Sequence, residues 1–164
     1  MNYLQVVQQK IMTLTELKRQ VDVWSLKSKR IVFTNGCFDL IHAGHIHLLS
    51  RARSFGDVLI VGLNTDASVS KLKPGRPLQD EATRALIMAS FTVTDAVILF
   101  NEETPLELIN SLRPDVLVKG GDYTKATVVG SDLVESYGGN VELVNLLEGF
   151  STSGIIGRMK SGGG

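Results

Sequence analysis

The sequence predicts an α/β domain built on a doubly wound parallel sheet of about five strands. Three observations carry that expectation. Short β-rich runs such as Ile31–Thr34 and Val58–Leu63 are apolar at consecutive positions, as in strands covered on both faces. Stretches with helical spacing separate these runs. Neither an internal repeat nor a long linker divides the 164 residues, so one main domain is expected.

The elements follow in order. Thr13-Leu14-Thr15-Glu16 reads as a capping box, and Leu14, Leu17, Val21 and Trp24 recur at helical spacing, giving a first helix to about Leu26. Ile31-Val32-Phe33-Thr34 is the first strand and ends at Asn35-Gly36. From Gly44, the spacing of Ile46, Leu49, Ala52 and Phe55 is helical until Gly56 stops it. Asp57 to Leu63 is a second strand, and Asp80 caps a helix carrying Ala82, Leu86, Met88 and Ala89. Asp95 to Phe100 is a third strand. Thr104-Pro105 reads as a cap with proline at the first helical position, leading through Leu108 and Leu112 to Pro114. Asp115 to Lys119 is a fourth strand, Ser131 to Tyr137 a helix ended by Gly138-Gly139, and Val141 to Asn145 a fifth strand. A terminal helix over Ile155–Met159 is entered through Ser151-Thr152-Ser153. The expected organisation is a helical extension over 1–26 packed on the domain, the domain itself over 27–160, and a flexible Gly-rich tail over 161–164. In this Rossmann-like arrangement ligands sit beyond the carboxyl ends of the strands, at the switch point.

Composition narrows the function classes. Seventeen Lys and Arg balance seventeen Asp and Glu, so the chain lacks the excess of cations that non-specific nucleic-acid binding or membrane attachment uses. Any phosphate must be held locally. The single cysteine, Cys37, rules out an internal disulfide and has no CxxC partner, which fits a reducing, cytoplasmic setting. Met1–Met12 lacks the features of a signal peptide, and no stretch approaches the roughly 20 apolar residues of a membrane span.

All three histidines, His42, His45 and His47, fall within six residues, just after the first strand. There is no GxxxxGK[ST] and no GxGxxG, so phosphate binding needs another device. Gly36-Cys37-Phe38-Asp39-Leu40-Ile41-His42-Ala43-Gly44-His45 offers one: two histidines frame a glycine where a helix begins, aiming imidazoles and helix N–H groups at one anion. His47 lies about 200° around the helix from His45 and reads as packing or rim. Asp39 reads as an acceptor that orders the loop.

The segment Gly36-x-Phe38-Asp39-x-x-His42-x-Gly44-His45 resembles the HxGH signature of the nucleotidyltransferase superfamily. Thr34-Asn35-Gly36-Cys37-Phe38-Asp39, Asn64-Thr65-Asp66, Lys73 with Arg76-Pro77, Arg84, Thr104-Pro105, Pro114-Asp115, Val118 to Tyr123, and Ser151 to Ser153 with Ile155-Ile156 extend it. They occur in the order seen in the adenylyltransferase domains of bacterial ADP-heptose synthases. That resemblance implies transfer of AMP from ATP, with Mg2+, to D-glycero-β-D-manno-heptose 1-phosphate for lipopolysaccharide core synthesis. It also implies a heptose kinase, expected as a separate protein. The expected assembly is a homo-oligomer without nucleic-acid or membrane partners.

Site roles follow the resemblance and the charges. His42, His45 and Lys73 are the expected catalytic groups, with Lys73 in a Pro/Gly loop beside Lys71 and Arg76 as a mobile cation. The histidines are expected to act protonated or as N–H donors. Nucleotide binding is expected from Thr34, Asn35, Gly36, Cys37, Phe38, Gly44, Lys119, Gly120, Asp122, Ser151, Thr152 and Ser153. Arg76 and Arg84 are expected at the substrate phosphate, Arg84 with an intrahelical salt bridge as the alternative. No metal-ligand spacing is present. The related glycerol-3-phosphate cytidylyltransferases carry an arginine that helps read cytosine where this chain has Leu146, an apolar residue suited to packing on a purine. That chemistry and a non-catalytic nucleotide-binding module partnering a kinase are the alternative functions.

Overall fold

The computed structural model describes residues 2–145, 147 and 149–161. Five parallel strands form one sheet in the order β3-β2-β1-β4-β5: β1 (Ile31–Gly36), β2 (Val58–Asn64), β3 (Ala96–Phe100), β4 (Val116–Gly120) and β5 (Asn140–Val144). The chain winds outward from β1 through β2 to β3, then returns to the other side of β1 for β4 and β5. The switch point therefore lies between β1 and β4.

The strands are apolar on both faces because both are covered. Ile31 and Phe33 point into a core closed by Leu17 of α2 (Leu14–Leu26) and by Leu108, Ile109 and Leu112 of α6 (Leu106–Leu112). Val32 points to the opposite core, closed by Leu49 and Ala52 of α3 (Ala43–Arg53) and by Ala85, Met88 and Ala89 of α5 (Glu81–Ser90). The capping box at Thr13 forms as expected: Glu16 N–H donates to the Thr13 hydroxyl and Thr13 N–H to the Glu16 carboxylate. Asp80 caps α5 through Thr83 N–H. Helix α7 (Ser131–Ser136) precedes β5, and α8 (Thr152–Ser161) ends the described chain.

Four details differ from the sequence reading. Helix α1 (Tyr3–Gln8) buries none of its residues and so leaves no apolar stripe to read. Helix α4 (Asp66–Leu72), capped by Thr65, follows β2 directly, so Lys71 is helical and Lys73 is the residue that ends α4. Thr104 caps nothing, because α6 starts one residue later with Pro105 in the capping position. The buried face of α5 is Arg84, Ala85, Met88 and Ala89, which leaves Ala82 exposed. Ser161 closes α8, and the remaining tail, 162–164, lies outside the described residues, as does Leu146.

Segment 10–12 extends the sheet at its β3 side. Val97 N–H donates to the Lys10 carbonyl at 2.8 Å and Met12 N–H to the Val97 carbonyl at 2.9 Å, making a bridge at Ile11. Lys10 Nζ adds a bond to the Thr94 carbonyl at 2.8 Å.

Candidate active site

At the C-terminal end of β1, the backbone turns through Gly36 and Cys37 to Phe38, whose φ of 45° lies in the left-handed region that side chains rarely adopt. Two neighbouring side chains hold this turn. The Asp39 carboxylate, 2 % exposed, accepts from Leu78 N–H at 2.9 Å, Gln79 N–H at 2.9 Å and Arg76 Nε at 2.6 Å. Burial alone would raise its pKa; the two backbone N–H groups and Arg76 together hold it below the ordinary aspartate value. Asp39 thus orders the loop, as its sequence position suggests, and ties the α4–α5 connection to the motif.

Arg84 does the same from the other side. Its side chain is completely buried; Nη1 donates to the Cys37 carbonyl at 2.6 Å, Nη2 to the Asn64 carbonyl at 2.9 Å and Asp66 Oδ1 at 2.8 Å, and Nε to the Gln79 carbonyl at 3.0 Å. The expectation that Arg84 meets a substrate phosphate is corrected: its guanidinium is spent on three backbone carbonyls and a carboxylate. Asp66 lies in α4, so the alternative of a salt bridge within α5 is corrected too.

His42 precedes α3 and caps it with its ring. Gly44 N–H donates to His42 Nδ1 at 3.1 Å, which leaves Nε2 as the proton-bearing donor. That N–H is therefore no longer free for an anion. A Cβ at Gly44 would sit 2.9 Å from the His42 ring, so the glycine is what permits this cap. His45 stacks on His42 with ring centroids 3.9 Å apart, and Phe38 meets its edge at 5.3 Å. Burial, then the neighbouring His42 and Lys73, push the His45 pKa down to about 4; burial also lowers that of His42. Both shifts favour the neutral imidazole in the ligand-free protein, which corresponds to the N–H donor of the two expected forms. His45 Nδ1 is buried without a hydrogen-bond partner.

A cleft of about 370 Å³ opens over this pair. Asn35, Gly36, Cys37, Phe38 and Asp39 from the β1 loop, His42, Gly44 and His45, Lys73 and Arg76, Lys119 and Gly120 at the end of β4, and Ser151, Thr152 and Ser153 all line it. Burial lowers the Lys119 pKa; Nζ contacts Asn35 Oδ1 at 3.3 Å and lies 5.6 Å from the Tyr123 ring. Ser151 Oγ accepts from Gly154 N–H at 3.0 Å and so caps α8. The starts of α3 and α8 thus meet in one cleft, and among the described residues that line it the one carboxylate, Asp39, is already engaged.

Three expected site residues stand apart from this cleft. Arg84 is in the scaffold, Asp122 is exposed outside the lining, and Thr34 is fully buried with an unpartnered hydroxyl. His47 is half-buried and also outside it. Among the described residues no cluster of three or more His, Cys, Asp or Glu side chains is placed to hold a metal, and no helix is long and apolar enough to cross a membrane.

Comparisons with known proteins agree with this geometry. The sequence profile described as Cytidylyltransferase-like matches residues 33–156. The bifunctional protein HldE of Syntrophotalea carbinolica is 56% identical over 151 residues, which are 92% of this chain and 31% of that protein. The HldE of Caulobacter vibrioides is 57% identical over 153 residues, 93% of this chain and 32% of that protein. The chain thus spans about a third of the length of the curated relatives it matches. Among solved structures, the lipopolysaccharide core biosynthesis protein of Thermoplasma volcanium superposes with a TM-score of 0.60 at 26% identity, covering 73% of this chain and 97% of that one. Pantoate-β-alanine ligase of Francisella tularensis, at 16% identity and a TM-score of 0.59 over 82% of this chain and 66% of its own, shares the fold. With its HxGH cleft at the switch point of a doubly wound sheet, the chain belongs to the cytidylyltransferase-like family.

Proposed function

We propose that this chain is a nucleotidyltransferase domain that transfers AMP from ATP to D-glycero-β-D-manno-heptose 1-phosphate, releasing pyrophosphate and forming ADP-heptose. The observation that carries the reading is the charge layout of one cleft: Lys73, Lys119, Arg76, two imidazole donors and the Ser151–Ser153 turn surround it, while the Asp39 carboxylate among its described lining residues is neutralised by Arg76 and backbone N–H groups. Such a cleft suits an anionic donor and an anionic acceptor together. Identity above 50% to two HldE proteins favours the heptose substrate within that class.

In the reaction an acceptor phosphate oxygen bonds to the α-phosphorus as the bond to the β-phosphate oxygen breaks, and pyrophosphate leaves in line. The acceptor is already ionised, so no general base is required. The protein's part is to fix the reacting groups and to stabilise charge on the phosphoryl oxygens. His42 donates from Nε2, because its Nδ1 is held by Gly44 N–H. His45, stacked on it, adds a second donor from the same side. A triphosphate beside them draws both imidazoles toward the protonated form, which burial alone disfavours. Ser151 to Ser153 and the start of α8 receive the β- and γ-phosphates, and Lys73 and Lys119 bridge donor and acceptor. Magnesium fits as a companion of the triphosphate, whose oxygens are the hard ligands it takes. The proposed setting is the cytoplasm, and the proposed partner is a heptose kinase activity, in another chain or another part of the same polypeptide. A homo-oligomer is the proposed assembly.

Pyrophosphate release measured with ATP or CTP against heptose 1-phosphate and glycerol 3-phosphate tests the reading. The expected result is preferred turnover of ATP with the heptose. Preferred turnover of CTP with glycerol 3-phosphate replaces the substrate pair, and silence with every pair removes the catalytic reading.

A further inference from the structure

A cavity of about 440 Å³ opens at the N-terminal end of the sheet, at the opposite end from the histidine cleft of about 370 Å³. The turn from α2 into β1 supplies Ser25, Ser28, Lys29 and Arg30; Asp115, which precedes β4, and Asn140, the first residue of β5, complete it with Gly138. Apart from that glycine, every described residue lining it is polar or charged. Its polar groups are unspent. Among the described residues, the Ser25 and Ser28 hydroxyls, the Asn140 amide, Lys29 Nζ and the Arg30 guanidinium make no side-chain hydrogen bond, and neither cation has a carboxylate within 4.0 Å. Two carboxylates of this region serve backbone instead: Asp57 accepts from Arg30 N–H at 2.9 Å, and Asp115 Oδ2 from Ile31 N–H at 2.7 Å. The second Asp115 oxygen is left for a further donor.

Ser28 adds a second, independent observation. It follows the end of α2, where its N–H donates to the Ser25 carbonyl at 2.9 Å and Lys29 N–H to the Trp24 carbonyl at 3.0 Å, with φ at 54°. Glycine is the usual residue in that conformation, and Gly138, at φ 87° beyond α7, fills it on the other side of the same cavity. Among the described residues two other side chains stand at left-handed positions, and both are in use: Phe38 meets the His45 ring, and Arg113 lies 4.4 Å from the Tyr137 ring. The Ser28 hydroxyl makes no such contact within the protein and lines the cavity. From these groups we propose that the cavity is a second binding site, for a singly phosphorylated, hydroxyl-rich small molecule such as a hexose phosphate. Lys29 and Arg30 take the phosphate through charge-assisted bonds. Ser25, Ser28 and Asn140 bond the hydroxyls, and the remaining Asp115 oxygen accepts from one more. That carboxylate disfavours ligands of higher negative charge, and a polar wall gives a nucleotide base no apolar face to pack on.

The site lies outside the histidine cleft, so its test does not depend on the reaction proposed there. Amide NMR spectra of the whole chain are recorded during titration with glucose 6-phosphate, and with inorganic phosphate for comparison. Saturable shifts are expected at Ser28, Lys29, Gly138 and Asn140, at lower concentrations of glucose 6-phosphate than of phosphate. The Gly36 and Lys119 amides report the histidine cleft separately. Lys29→Gln and Arg30→Gln are each expected to weaken binding at the four amides roughly tenfold. Ser28→Gly separates binding from folding: glycine suits the left-handed backbone, so the thermal midpoint holds or rises while affinity falls several-fold. No shift at the four amides, equal binding of phosphate and glucose 6-phosphate, or affinity unchanged in all three variants overturns the proposal.

Discussion

The two ends of the sheet treat their polar groups in opposite ways. At the N-terminal end, an aspartate before each of three strands satisfies the neighbouring strand's backbone: Asp57 accepts from Arg30 N–H at 2.9 Å, Asp95 from Leu59 N–H at 2.8 Å and Asp115 from Ile31 N–H at 2.7 Å. At the C-terminal end the nearby carboxylate, Asp39, is consumed by the loop, His45 Nδ1 is left without a partner, and lysines 73 and 119 stand without a carboxylate within 4.0 Å among the described residues. Carboxylates close one end internally, whereas at the other Asp39 is consumed by the loop and Lys73, Lys119 and the histidine pair are left facing the cleft. The same parallel topology thus has one end whose aspartates all bind strand backbone and one where the scaffold bonds of Asp39 and Arg84 lie beside cations and imidazoles that face an open cleft.

The largest effect that sharpens this contrast belongs to the open end. His42→Ala and His45→Ala are each expected to lower kcat by roughly 10²–10³-fold, the usual consequence of deleting one donor to developing charge. His42→Ala also removes the ring that caps α3 and is expected to lose about 1 kcal/mol of stability, too little to unfold the domain; retained turnover in either variant breaks the assignment. The closed end should respond in the reverse sense. Asp115→Ala strands Ile31 N–H, and urea unfolding is expected to show a loss of about 1 kcal/mol with kcat preserved. A fall in kcat without loss of stability would break the contrast.

A further effect concerns pH. Burial holds the folded His45 near 4, whereas the unfolded side chain titrates near 6.5. Between those values the unfolded chain binds a proton that the folded chain refuses, so stability is full above about pH 6.5 and falls as the pH drops toward 4. The thermal midpoint of the ligand-free protein should decline across that window, and His45→Gln should flatten part of the decline. An identical slope in the variant would remove His45 as its source.

Much of this was legible in the chain because its signals are local. Continuous apolar runs bounded by glycine, proline or aspartate mark buried parallel strands, and His42-Ala43-Gly44-His45 can be read as a phosphate device from four adjacent residues. Short elements with little buried surface were not legible: α1 has no fully buried residue, and α4 is seven residues whose cap, Thr65, directly follows the end of β2. The scaffold role of Arg84 escaped for a related reason. Hydrophobic periodicity counts an arginine as surface, so the buried face of α5 reads out of phase when its central member is a guanidinium. Its partners are backbone carbonyls from three separate segments, and only the fold brings those together.

The bridge between Ile11 and Val97 bears on how the molecule avoids its own kind. A parallel sheet ends in strands whose outer backbone groups would template another chain, and β3 is one such margin. Residues 10 to 12 occupy part of that margin with two main-chain bonds, and Lys10 anchors them by reaching across to the Thr94 carbonyl. The segment before α2 therefore covers, at Val97, backbone groups that an added strand would otherwise pair with, at the edge of the sheet away from the histidine cleft.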